Sequence, residues 1–118
     1  MAFESYVQRA LRETPVASAA RTVSGDSGPL NGYGIASTLR AQLDVTAAAG
    51  TSPTLNVVIE DSVDVGATWN VVGTFAQKVA AGREVINVTA PFTGTLRARW
   101  TIGGTSPSFT FAVDWFAE

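Results

Sequence analysis

Three carboxylates, Glu60, Asp61 and Asp64, are the residues of this chain whose types and spacing best suit chemistry. Carboxylate oxygens in a loop can hold Ca²⁺, and two converging carboxylates can serve as acid and base on a glycosidic bond. Glu60 and Asp61, however, are neighbours in an alternating pattern that predicts a strand, so their side chains point to opposite faces. The spacing also differs from that of an EF-hand loop. We therefore predict a solvated hairpin end here.

Two residue types are missing from the whole chain of 118 residues, which contains no cysteine and no histidine. Their absence excludes thiol nucleophiles, disulfides, Ser-His-Asp triads and the usual zinc sites. Serine and threonine are abundant, but none has an evident base to activate it. We therefore predict that the protein is not an enzyme, with no catalytic residue, no metal and no cofactor.

The charge of the chain limits its partners. The formal net charge is −2, and charged residues make up 15% of the chain, against about 25% in typical soluble domains. Nucleic acid requires a basic patch, and a membrane span requires about 20 consecutive apolar residues. The sequence shows neither, so we expect no nucleic acid and no membrane as partner. So few charges indicate that part of the surface is covered by another molecule.

The segment SVDVGATW fits the pattern S-x-D-x-G-x-T-W and resembles the Asp-box of sialidases and related β-propellers. In that family the box is a structural hairpin and not a catalytic site. We expect Ser62 and Asp64 to bond the loop backbone, Gly66 to take a positive φ, and Trp69, which follows Thr68 of the motif, to anchor the turn on the next strand. A single copy in so short a chain cannot build a propeller, so only the hairpin geometry is carried over.

Three tryptophans, Trp69, Trp100 and Trp115, have two interpretations. They can form a platform on which sugar rings stack, as in carbohydrate-binding modules. Each of them also falls in register with aliphatic residues on the predicted inward face of its strand. Core packing is therefore the preferred interpretation.

Three arginines on predicted outward faces, Arg40, Arg97 and Arg99, also have two interpretations. They can form a basic stripe across the surface. They can instead pair across strands with Asp44 and Glu60, which would neutralise them.

The elements that carry these residues are strands. From Ala36 onward, apolar and polar residues alternate with a period of two, and no helical pattern or internal repeat intervenes. Turn signals, among them AGTSP and GGTSPS, separate six predicted strands at 37–47, 55–60, 69–75, 83–90, 95–102 and 109–116. In the fourth strand, Ile86 and Val88 are expected to face the core. Residues 35–118 are thus predicted to form an all-β domain, an antiparallel β-sandwich or jelly-roll-like fold.

Residues 1–34 are predicted to form an extended N-terminal arm. The apolar spacing over 3–12 predicts a short amphipathic helix, the residues of 16–23 favour an edge strand, and the glycines of 25–34 predict a loop. Because such an arm is too polar and glycine-rich to fold alone, we expect it to order on a partner. The predicted partner contacts in the arm are Phe3, Tyr6, Arg9, Arg12 and Tyr33, and Phe92 is a further aromatic candidate outside it.

The stretches TLRAQLDVTAAAGTSPTLNVVIEDSVD, GATWNVVGTFAQK, AAGREVINVT and LRARWTIGGTSPSFTFAVDW follow one another between Thr38 and Trp115. In this order they resemble small virion proteins encoded by tailed phages and prophages of actinobacteria. Among those proteins the nearest role is that of a head decoration or cement protein, a β-rich domain on the outside of an HK97-type capsid. Val65 stands where such a turn would carry glycine, which predicts a turn that is either longer or more strained than in those proteins.

The resemblance implies a function and a set of partners. It implies that the protein binds the major capsid protein and further copies of itself, as a homotrimer, and stabilises capsomer contacts. It also implies synthesis in the host cytoplasm and a final place on the capsid surface of the virion. Two alternatives remain: a structural protein of the tail, such as a tail tube protein, and a carbohydrate-binding β-sandwich module.

Overall fold

The structure of the protein, a computed structural model, describes residues 11–34, 36–89 and 91–118. Within these ranges no helix occurs, and hence none that is long and apolar enough to cross a membrane. All strand pairs are antiparallel. The strands are β1 (Leu11–Arg21), β2 (Gly25–Asp26), β3 (Thr38–Ser62), β4 (Asn70–Thr74), β5 (Gly82–Thr89) and β6 (Thr95–Ala117).

Two long strands organise the molecule. β3 has 25 residues and β6 has 23, and they pair from Leu39 opposite Ala117 to Ser62 opposite Thr95. The first half of β3 and the second half of β6 are flanked by β5 and β1, and we call these four strands sheet I. The other halves are flanked by β4 and β2, and we call these four strands sheet II.

Both long strands bend at the same tetrapeptide, GTSP, at residues 50–53 of β3 and 104–107 of β6. In each copy the glycine has a φ of 111°, and the serine also has a positive φ. Glycine takes this conformation at little cost, and it redirects the strand without ending it. A Cβ added to either Gly50 or Gly104 would lie 2.7 Å from a backbone oxygen of the facing bend. The two bends therefore touch, backbone to backbone.

The hairpin turns predicted at AGTSP and GGTSPS are wrong. The predicted strands at 37–47 and 55–60 form the continuous β3, and those at 95–102 and 109–116 form the continuous β6. Because the two bends face each other, the partner strand follows each change of direction, and pairing resumes beyond it. A chain reversal and a shared bend use the same residue types, so the local sequence does not separate them.

The two long strands also share a second tetrapeptide. TLRA begins β3 at residues 38–41 and β6 at residues 95–98, and GTSP follows in both. Each long strand thus runs from TLRA through GTSP. The expectation of no internal repeat is therefore wrong, and the repeat is visible once the two strands are seen to occupy equivalent places.

The bends fold the sheet over on itself and create the core. Trp100 and Phe111 both belong to β6 and would lie about 36 Å apart in a straight strand. Their ring centroids are 5.6 Å apart, because sheet I and sheet II pack face to face. Val88 is buried and Ile86 packs against the core, as predicted. The prediction of an all-β antiparallel sandwich is confirmed.

The described part of the predicted arm belongs to the sandwich. β1, which overlaps the predicted edge strand, pairs with β6, and Leu30 forms a bridge with Leu96. The predicted loop contains the two residues of β2. The predicted helix lies mostly outside the described residues, and Leu11 and Arg12 at its end belong to β1. Residues 11–34 do not form a separate arm, because Val16 and Tyr33 supply buried surface to the common core.

Candidate interaction face and the Asp-box hairpin

The hairpin between β3 and β4 brings together the Asp-box residues. The Ser62 hydroxyl donates to Asp64 Oδ1 at 2.7 Å and accepts from the amide of Gly66 at 2.7 Å. The Thr68 amide donates to Asp64 Oδ1 at 2.8 Å, and its hydroxyl donates to Oδ2 at 2.6 Å. Gly66 has a φ of 100°. These contacts match the turn geometry that the motif predicts.

The same hydrogen bonds favour the ionised form of Asp64. The Thr68 hydroxyl, followed by the Thr68 amide and the Ser62 hydroxyl, lowers the pKa of Asp64 to about 2. A carboxylate with so low a pKa is a weak base at neutral pH, where a catalytic base would need a pKa close to 7. Asp64 therefore holds the loop and is poorly suited to move a proton.

Two further residues of the hairpin show how it is anchored and where it is strained. Trp69 lies under Arg97, whose guanidinium carbon is 4.2 Å from the ring centroid. Val65 has a φ of 58°, in the left-handed region that β-branched residues rarely adopt. Of the two alternatives predicted for this turn, the φ of Val65 supports the strained one.

The three clustered carboxylates do not converge on one point. Glu60 accepts a hydrogen bond from Arg97 Nε at 2.9 Å, and Asp61 accepts one from the amide of Thr93 at 2.9 Å. Asp64 is held within the hairpin. Across residues 11–34, 36–89 and 91–118, no group of three or more acidic residues is arranged to hold a metal ion. Each carboxylate has a structural partner of its own.

The outer face of sheet II carries a closed ionic network. Glu60 is 5% exposed and accepts hydrogen bonds from Nε of both Arg97 and Arg99. Arg97 also lies 3.5 Å from a carboxylate oxygen of Asp26. Arg97 and Arg99 are therefore paired across strands, which was one of the two interpretations of the sequence. Arg40 lies on the other sheet, so the three arginines form no common stripe.

The outer face of sheet I has a different centre. One row of residues crosses its four strands, with Arg12 opposite Phe116, Phe116 opposite Arg40, and Arg40 opposite Asn87. Phe116 is 40% exposed. Arg40 donates to Asn87 Oδ1 at 3.2 Å, and no carboxylate of a described residue forms an ion pair with Arg12 or Arg40.

Two shallow depressions flank Phe116. One has a volume of about 250 Å³ and the other about 380 Å³, and Arg40 and Phe116 line both. Asp114, at the border of the first, accepts a hydrogen bond from the Thr14 hydroxyl at 2.6 Å. We call this surface the Phe116 face, defined by Arg12, Arg40, Gln42, Val85, Asn87, Asp114 and Phe116.

The partner contacts predicted from the sequence have different outcomes. Arg12 lies on the Phe116 face, whereas Phe3, Tyr6 and Arg9 lie outside the described residues. Tyr33 is 1% exposed, and its hydroxyl accepts a hydrogen bond from Trp115 Nε1 at 2.9 Å.

Tyr33 is thus a core residue, and its prediction as a partner contact is wrong. Its ring packs edge to face on Trp115 with centroids 5.8 Å apart, and burial raises the pKa of its hydroxyl. Phe92 is partly buried against the core. The alternation of the predicted strand at 109–116 puts Phe116 on the outward side with Thr110 and Asp114, and no predicted site included it. An aromatic residue at an outward position was the signal available.

The tryptophans do not form a shared platform. Trp115 is buried in the core and Trp100 packs against the core, as predicted. Trp69 instead stacks against Arg97 on the outer face of sheet II, so its prediction as a core residue is wrong. Trp100 contacts Phe111 and lies 5.1 Å from the guanidinium carbon of Arg21, and its Nε1 donates to a backbone oxygen. Each indole ring is therefore in contact with other side chains of the sandwich.

Comparison with known proteins shows likeness in fold. No protein-family model matches the chain, and no curated protein sequence matches it. Three solved structures resemble it over most of its length. The VP2 subviral particle of infectious bursal disease virus has a TM-score of 0.64 at 12% identity, with 92% of this chain and 32% of that chain covered. The PBSX exported protein XepA has a TM-score of 0.64 at 16% identity, covering 91% and 36%.

The third structure is smaller. The CBM36-1 domain of a multidomain xylanase, from the hindgut metagenome of Trinervitermes trinervoides, has a TM-score of 0.53 at 10% identity, covering 93% of this chain and 98% of that one. The chain thus spans about a third of VP2 and XepA but nearly all of the xylanase domain. At such low identity these likenesses establish an antiparallel jelly-roll-like sandwich, and the fold alone.

Proposed function

We propose that this chain is a virion structural protein, specifically a capsid decoration protein that binds the outside of an HK97-type head and stabilises capsomer contacts. The Phe116 face is the observation that carries the proposal. It presents an exposed phenyl ring between two arginines that have no carboxylate partner among the described residues. Aromatic residues and arginine are the types most enriched at the energetic centres of protein interfaces.

The chemistry of this face defines the surface it would bind. Adjacent strands lie about 4.8 Å apart, so Arg12 and Arg40 are carried about 10 Å apart on either side of Phe116. Each guanidinium presents several donors suited to a carboxylate. We therefore propose an acidic patch of the major capsid protein, with an apolar recess for Phe116 between its carboxylates.

Other features support a role in contact rather than in catalysis. A jelly-roll-like sandwich also occurs in the VP2 subviral particle, which agrees with a virion protein at the level of fold. The clustered carboxylates of Glu60, Asp61 and Asp64 are engaged by arginines or by loop amides and do not converge. Many copies on one shell would turn a weak contact into stable coverage.

The test is co-sedimentation of the full chain with purified shells of the major capsid protein from the phage or prophage that encodes it. We expect saturable binding that weakens at high salt, because ion pairs at an exposed face are screened. Binding to isolated tail tubes, and not to shells, would overturn decoration in favour of the tail alternative. Absence of binding to either would overturn both.

A carbohydrate-binding module is the second candidate, favoured by the likeness to nearly the whole CBM36-1 domain. The test is titration of the chain with soluble xylan while tryptophan fluorescence is recorded. Because Trp69 and Trp100 already contact arginine side chains and Trp115 is buried, we expect no change. Saturable quenching by xylan, with no binding to shells, would establish the module instead.

A further inference from the structure

The sandwich has four strands at its edges, and three of them carry features that oppose further pairing. β1 contains Pro15, which has no amide hydrogen, and its register shifts twice between Glu13 and Ala19. β2 has two residues, and β4 has five, beside a register shift in β3. Proline, irregular register, short length and charged side chains are the usual protections of an edge strand.

β5 has no proline, no register shift and no shortening, and its two charged side chains, Arg83 and Glu84, already pair with Asp44 and Lys78 of the same molecule. It is eight residues long, contains no proline, and pairs with β3 in unbroken register from Thr89 opposite Thr38 to Gly82 opposite Val45. Beyond this ladder, no backbone hydrogen bond from another described residue reaches Gly82–Thr89. Every second amide and carbonyl of β5 therefore points away from the sheet, as a template for another strand.

We propose that β5 pairs antiparallel with β5 of a second copy across a twofold axis. Two copies of sheet I then form one continuous sheet of eight strands. This inference goes beyond the decoration function, since it concerns the protein in the absence of a shell.

The side chains of β5 indicate the register of this pairing. In an antiparallel pair, residues that stand opposite each other lie on the same face of the sheet. Val85, near the middle of β5, is an apolar residue that is 39% exposed. With Val85 opposite its own copy, Arg83 stands opposite Asn87 and no like charges meet. A shift that centres Glu84 would place two carboxylates opposite each other and is disfavoured.

A twofold pair differs from the homotrimer implied by the family resemblance. A trimer closed through the sheet edges would need β5 to meet a different edge, in a head-to-tail contact. The other edge of sheet I is β1, with Pro15 and its shifted register. The twofold pair uses the unprotected edge twice, and it joins two copies of the Phe116 face into one surface.

The test is light scattering after size-exclusion chromatography of the full chain across the micromolar range. We expect a dimer. Val85→Lys places two like charges at the axis and should weaken dimerisation about a hundredfold, giving a monomer. Val79→Lys, at a 61% exposed valine in the loop before β5, is the control and should remain dimeric.

A mixture of Val85→Lys and Val85→Glu tests the register itself. Each variant alone should be a monomer, and the mixture should form a heterodimer, because Lys then faces Glu. Thermal melting of each variant shows whether it is folded. A wild-type monomer or trimer, a dimeric Val85→Lys, or a mixture that stays monomeric would overturn the proposal.

Discussion

The outer faces of the two sheets contain equivalent arginines with different neighbours. Arg40 and Arg97 hold the same position in the two TLRA segments of the long strands. Arg97 stands opposite Glu60, and Arg40 stands opposite Phe116. The first pair closes the face of sheet II with internal ion pairs, and the second leaves the face of sheet I open. The residue opposite the arginine thus decides which face is available to a partner.

Glu60→Gln should produce the largest effect on stability, because it removes the charge at the centre of the closed face. Glu60 is 5% exposed and serves both Arg97 and Arg99. Because breaking a buried ion pair is costly, we expect Glu60→Gln to lower the free energy of unfolding by about 3 kcal/mol. Denaturant unfolding measures this loss. Asp44→Asn is the control. Asp44 pairs with the exposed Arg83 at 3.5 Å, so this substitution should lower the free energy of unfolding by only about 0.5 kcal/mol. Equal losses in both variants would contradict a closed network.

Replacing each of the two equivalent arginines by alanine should give different losses in the free energy of unfolding. Arg97→Ala leaves Glu60 with one partner and uncovers Trp69, so we expect a loss of about 2 kcal/mol. Arg40→Ala removes one exposed hydrogen bond to Asn87 and should cost about 0.5 kcal/mol. Thermal unfolding of the two variants side by side measures the difference. Equal destabilisation would show that the faces are not distinct.

Acid should weaken the hairpin that borders the closed face. The pKa of Asp64 is about 2 in the folded protein, below the value of about 3.9 in an unfolded chain. Its contribution to stability is therefore complete above about pH 4 and is lost as the pH falls toward 2. Asp64→Asn lacks this contribution, so its unfolding curve should approach that of the wild type in acid. A constant difference from pH 7 to pH 2 would contradict this role of Asp64.

Thr14→Ala should have the smallest effect. It removes the exposed hydrogen bond to Asp114 at the border of the Phe116 face. We expect a change of about 0.5 kcal/mol or less in the free energy of unfolding. A loss as large as that of Glu60→Gln would mean that the open face is held by a network of its own.

The sequence predicts the parts of this molecule that depend on local pattern. Alternation of apolar and polar residues predicts the strand positions and the buried faces of β3, β5 and β6, although not the continuity of β3 and β6, and the Asp-box motif predicts the hydrogen bonds around Asp64. The bends at GTSP were missed, because their effect depends on a second copy lying directly opposite. Tyr33 was misplaced for a similar reason, since its burial depends on Trp115, which is distant in sequence.

The Phe116 face also could not be predicted from the local sequence pattern. Arg12, Phe116 and Arg40 come from three strands, and only the register of the sheet places them in one row. The sequence shows an aromatic residue at an outward position, but not that two arginines flank it. Contact surfaces built across strands are not visible in a single sequence for this reason.

Shell binding by Phe116→Ala tests the central claim most directly, with Val71→Ala as the matched control. Val71 is a 51% exposed apolar residue of β4, outside the Phe116 face. We predict that Phe116→Ala remains folded and that its affinity for purified shells falls about tenfold or more, while Val71→Ala binds as the wild type does. Undiminished binding by folded Phe116→Ala would contradict the claim that this face contacts the shell.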